Sequence, residues 1–157
     1  MLTFGTKERN PMKNTPATTL LSDIQLLIES HDRLLTVKER IHKMAPTELE
    51  QINSSPDLAA WLYFKGLKTE EQVFEYVKAV WDNCNDKGQL WFWHGPDHDE
   101  PITESIRFLD RIDMAMGLVG QQTHTAVPVK SVRDCGWHPD QHLRRILAFA
   151  QAAVDLE

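Results

Sequence analysis

Imidazole, thiol and carboxylate side chains gather in two short stretches of this 157-residue chain. The first, Trp91-Phe92-Trp93-His94-Gly95-Pro96-Asp97-His98-Asp99-Glu100-Pro101, sets two histidines and three acids among aromatics. The second is Cys135-Gly136-Trp137-His138-Pro139-Asp140-Gln141-His142. Five of the seven histidines fall between His94 and His142. Zinc needs three or four nitrogen or sulfur donors converging within about 2.0–2.3 Å. His94, His98, Cys135, His138 and His142 are the donors these stretches offer, with His124 or Asp97 able to complete a tetrahedral set. His138-x-x-x-His142 has the spacing that puts two residues on one helix face. His94-x-x-x-His98 has the same interval, but Pro96 makes it a loop spacing. Neither H-E-x-x-H nor paired C-x-x-C occurs, and there is no G-x-S-x-G and no phosphate-cradling glycine loop. Cys135 near His138 could form a thiolate–imidazole pair, a weak signal without a third partner.

The same first stretch also suits a docking surface. Trp91 and Trp93 alternate, so on an extended segment they point to one face. Asp97, Asp99, Glu100 and Glu104 follow. Rigid aromatic anchors beside orienting charges are what a protein-binding hot spot uses. The leading expectation is therefore a non-enzymatic accessory protein without a cofactor: an adaptor, inhibitor or immunity-type factor. Its partner would be a protein with a basic patch. The alternative is a small metal-dependent enzyme, hydrolytic by default, using zinc or another divalent transition metal in the 94–100 and 135–142 loops.

Charge narrows the partners. The net charge is −6 and the pI near 5.6. Nonspecific nucleic-acid binding draws on a basic surface that displaces counterions, so it is not expected here. Between Gly95 and Asp113, six acids stand against Arg107 and Arg111, which places four of the six net negative charges there. No apolar run approaches the roughly 20 residues of a membrane span. The first residues carry no apolar leader core, and only Cys84 and Cys135 are present, so a cytoplasmic protein is expected.

The elements that would position these groups are helical. Residues 1–16 read as a tail and 17–157 as a single domain. Leu20, Ile24, Leu27, His31, Leu34, Lys38 and Ile41 step by four and three, which predicts a helix from 18 to about 44 with a wide apolar stripe. Its leucines should be buried, with His31 and Lys38 at the stripe's margin. Thr47-Glu48-Leu49-Glu50 and Thr69-Glu70-Glu71-Gln72 have capping-box spacing, and Ser55-Pro56-Asp57 is a cap followed by proline and an acid. Ala59 to Trp81 then reads as helix, Gly66 turn, helix. The acids Glu70, Glu71 and Glu75 make its second helix a poor reader of DNA phosphates, so an ordinary helical hairpin is expected. Ile102, Ile106, Leu109, Ile112 and Met116 predict a helix ending near Gly117 or Gly120, and Leu143, Ile146, Leu147 and Ala150 one from 139 to about 154. The expectation is a mainly α, compact bundle of five or six helices, with a short two-stranded ribbon from 90–93 and 125–129 as a variant. The last helix is the best match to cover the long one. A homodimer through the long helix is compatible with the pattern.

Overall fold

The computed structural model describes residues 14–44, 54–84, 103–135 and 139–157. Five α-helices and one short 3-10 turn run through them: α1 (Pro16–Met44), α2 (Pro56–Phe64), α3 (Glu70–Cys84), α4 (Thr103–Thr123), the turn Val132–Cys135, and α5 (Asp140–Leu156). The protein is an all-helical bundle, with no strand among the described residues. Residues 125–129, half of the ribbon allowed by the sequence, are irregular. The other half, 90–93, and the capping box at 47–50 lie outside the described residues.

Each helix start has a local cause. Pro16, which reads as a breaker in the sequence, is the first residue of α1, where a missing N–H costs nothing. Thr15 precedes it: the Thr18 amide donates to Thr15 Oγ1 (3.1 Å) and the Thr15 amide to Thr18 Oγ1 (3.0 Å). Ser55 caps α2, its hydroxyl accepting from the Leu58 amide at 3.3 Å. The Thr69 box closes in both directions, Gln72 N–H to Thr69 Oγ1 and Thr69 N–H to Gln72 Oε1, each 3.1 Å. Gly66, at φ 101°, supplies the left-handed residue that separates α2 from α3.

α1 is the central element and packs against all four other helices. Leu20, Leu27, Leu34 and Ile41 are all buried. Its most extensive neighbour is α5, as the pairing of periods suggested. The two run antiparallel: Thr15, just ahead of α1, bonds Glu157 just past the end of α5, while Asp32 in mid-α1 meets Arg144 in the first turns of α5. Arg111 of α4 clamps Asp23 of α1 through Nε (2.6 Å) and Nη2 (3.1 Å). Arg40 ties α1 to Glu70 and Glu71 at the start of α3 and lies over the Phe74 ring. The acids that spoil α3 as a DNA reader thus hold it to the bundle.

Two expectations are corrected. α4 runs past Gly117 and Gly120 to Thr123. Gly120 is not a stop but a point of close approach: a Cβ there would lie 3.0 Å from Val127 Cγ1 and 3.1 Å from Thr125 O, because the chain folds back over it. The Thr125 amide donates to the Gly120 carbonyl, and His124 makes the reversal at φ 55°. The second correction concerns the stripe of α1. His31 and Lys38 do not sit at its margin. Both are buried, His31 to 1% exposure, and His31 is met by the Ser54 carbonyl ahead of α2 and by Asp140 of α5.

Candidate metal centre

His31 lies one residue before Asp32 in the middle of α1, on the side where the start of α2 and the first turn of α5 converge. Its Nε2 is 2.9 Å from the backbone carbonyl of Ser54. A carbonyl only accepts, so Nε2 carries the proton and donates. Nδ1 is then the nitrogen with a free lone pair, and it is buried without a hydrogen-bond partner. Burial pushes the His31 pKa below its ordinary 6.5, against the opposing pull of the Ser54 hydrogen bond and of Asp140 and Asp32, with Arg144 lowering it slightly further. At neutral pH the ring is therefore uncharged and its lone pair is available.

Two carboxylates join it. A His31 ring nitrogen and one oxygen each of Asp32 and Asp140 lie within 4.8 Å of one another. Asp140 opens α5 directly after Pro139, where helix polarity favours an acid. Arg144, one turn on, spans both acids: Nη2 is 2.9 Å from each Asp32 oxygen, and Nε is 3.4 Å from Asp140 Oδ1. A half-exposed ion pair alone would be worth little and would need no imidazole. The buried, oriented His31 is what distinguishes this cluster. Holding one ring N–H on a carbonyl is how proteins orient a histidine whose other nitrogen takes a metal. His42, near the end of α1, also has an unpartnered Nδ1, but it belongs to no donor group among the described residues.

Of the donors nominated from sequence, Cys135 and His142 fall among the described residues, and neither joins this group. Cys135 is half-buried at the end of the 3-10 turn, its thiol toward Ser131 O. Burial, with Asp113 and Asp134 adding to it, pushes the thiol up to about 11, so it stays protonated at neutral pH. His142 sits on α5 with Nδ1 accepting from Arg145 at 3.4 Å. His94, His98 and His138 lie outside the described residues, as do Trp91, Trp93, Asp97, Asp99 and Glu100 of the suggested docking surface. Glu104 is described and is exposed in the first turn of α4.

A cavity of about 380 Å³ opens elsewhere, among Ala17, Val119, Thr123 and Ala153 where α1 begins and α4 and α5 end. The fourteen residues from Ala17 to His31 put roughly 20 Å of helix between it and the donor cluster. The cavity has no part in the centre. Comparison with known protein families, curated proteins and solved structures yields no match, so what the centre does must be read from its own residues.

Proposed function

We propose that the chain is a small metal-dependent enzyme, hydrolytic in type, whose ion is held by His31, Asp32 and Asp140. The observation that carries this is the buried His31, whose Nε2 is held by Ser54 O and whose Nδ1 has no partner, with one of its ring nitrogens within 4.8 Å of an oxygen of both Asp32 and Asp140. One neutral nitrogen and two carboxylates balance the charge of a divalent ion and suit zinc, manganese or iron(II). Three protein ligands leave a coordination position for water, whose pKa such an ion lowers toward neutrality. Elemental analysis of untagged protein together with its native mass tests the centre, and metal-dependent turnover of activated esters and phosphoesters tests the hydrolysis. Stoichiometric zinc, manganese or iron is the expected result. Protein that neither carries nor takes up any of them sinks the proposal, while bound metal without turnover reduces it to metal binding.

A second, independent reading rests on α4. Ile106, Met114 and Leu118 stand exposed at multiples of four along it, with Met114 69% exposed and Asp110 between them. This row supports a docking surface for a protein with a basic patch, to which Trp91, Trp93, Asp97, Asp99, Glu100 and Glu104 would contribute. The partner's association should weaken as salt rises. Reversing Asp99 and Glu100 to lysine should weaken its capture without changing the melting temperature. Unchanged capture at all salt concentrations removes the electrostatic partner. Dimerisation abolished by Met114→Lys would show that a second copy is the occupant instead.

A further inference from the structure

A cation already occupies the carboxylates of the centre. Arg144 Nη2 lies 2.9 Å from both oxygens of Asp32, while its Nε reaches Asp140 Oδ1 at 3.4 Å. The three donor atoms extend over as much as 4.8 Å. On a tetrahedral ion with bonds of about 2.0–2.1 Å, ligand atoms stand about 3.3 Å apart. The donors must therefore draw together to close on an ion, and the guanidinium competes with that ion for both oxygens of Asp32. Two cations competing for the same carboxylates also repel each other at this distance.

We infer that Arg144 is the resident counter-cation of the centre: metal entry displaces its guanidinium, and the displaced group, held beside the ion by α5, binds an oxyanion on the substrate. This rests on the metal centre proposed above. Arg144 cannot go far, because its Cα is fixed on α5 one turn after Asp140. Its side chain is about half exposed and can swing outward. A guanidinium offers planar, paired donors that fit carboxylate and phosphate oxygens. The first turn of α5 adds to this, since Pro139 gives it no side-chain cap and helix N-terminal amides favour negative charge. An anion with one oxygen on the ion and another on Arg144 would be gripped from two sides, so the substrate class is a phosphoester or carboxylate and not a neutral ester or amide. The buried, unpartnered Nδ1 of His31 separates this cluster from an ordinary surface ion pair.

The test compares wild type with Arg144→Gln and Arg144→Lys, using manganese(II) followed by electron paramagnetic resonance and then inorganic phosphate on the metal-loaded proteins. Arg144→Gln should bind manganese about tenfold or more tighter, because the competing charge is gone. The same metal-loaded variant should bind phosphate about tenfold or more weaker, because a charged fork is lost. Arg144→Lys, keeping charge without the fork, should recover little of the phosphate affinity. Equal manganese affinity in wild type and Arg144→Gln overturns displacement but leaves the metal centre standing. Unchanged phosphate affinity overturns the oxyanion role. Manganese binding by none of the three proteins overturns the centre itself, and this inference with it.

Discussion

Leu27→Ala should destabilise the protein by about 2–5 kcal/mol, through the transfer energy of the lost methyl and methylene groups plus the cavity they leave. Leu27 is 1% exposed on the helix that touches every other one, so collapse of the hole would require several helices to move together. Urea unfolding followed by circular dichroism should show a lower midpoint with an unchanged slope. Because α5 and the other helices of the same chain cover the stripe of α1, the loss should be the same at protein concentrations about tenfold apart. Met114→Ala, on the exposed face of α4, is the matched control and should stay within about 0.5 kcal/mol of wild type. A loss below about 1 kcal/mol for Leu27→Ala, or one that depends on concentration, would mean that α1 is not the centre of a single-chain core.

The fold was legible where the physics is local. The Thr69–Gln72 box, the Ser55-Pro56 start and the Gly66 turn are each decided within a few residues, and each has the predicted hydrogen bonds or dihedral. Amphipathic period marked the covered face of α1 and its partner α5. Boundaries failed where a tertiary contact decided them. Gly120 looks like a helix stop, but it is a glycine because Val127 and Thr125 fold back on it, and nothing near it in sequence announces that. Pro16 reads as a breaker, yet with the Thr15 hydroxyl accepting from the Thr18 amide it is the first residue of α1.

The centre was less legible because its donors come together across helices. Arg144 and Asp32 are 112 positions apart, and a search for ligand spacing along the chain does not join them. Ligand spacing points to the dense histidine loops, whereas His31 stands in the apolar register of α1, where the expected place for an imidazole is the stripe's margin. A usable signal did exist. An imidazole in the middle of a stripe that another helix must cover, followed at once by an acid, with Asp140 in the first turn of the best-matched covering helix, places three donors near one level once the two helices are set antiparallel. What the sequence could not supply was the Ser54 carbonyl that fixes the tautomer, because a backbone acceptor carries no side-chain identity.

That tautomer makes His31→Gln the most telling substitution in the centre. A glutamine amide nitrogen can take the place of Nε2 and keep donating to Ser54 O, but it offers nothing in place of Nδ1 and does not titrate. The variant should fold, whereas His31→Ala should lose about 2 kcal/mol or more by leaving a cavity and removing the buried hydrogen bond to Ser54 O. Removing partners that merely orient a ligand costs about 10–100-fold in metal affinity, so losing the ligand itself should cost His31→Gln about 100-fold or more. Stability should change with pH in a matching way. The folded pKa of His31 is lowered, chiefly by burial, so below the unfolded value of about 6.5 the unfolded chain binds the proton and the folded one does not. The His31 contribution is therefore complete above about pH 6.5 and is lost as pH falls from there toward the folded pKa. Asp32 and Asp140 limit this depression and Arg144 slightly deepens it. In His31→Gln that part of the acid loss should vanish, so its unfolding midpoint should decline less than that of wild type between about pH 6.5 and 5. Parallel declines in the two proteins would show that His31 is not held neutral in the fold, and its Nδ1 would then no longer be a ready ligand.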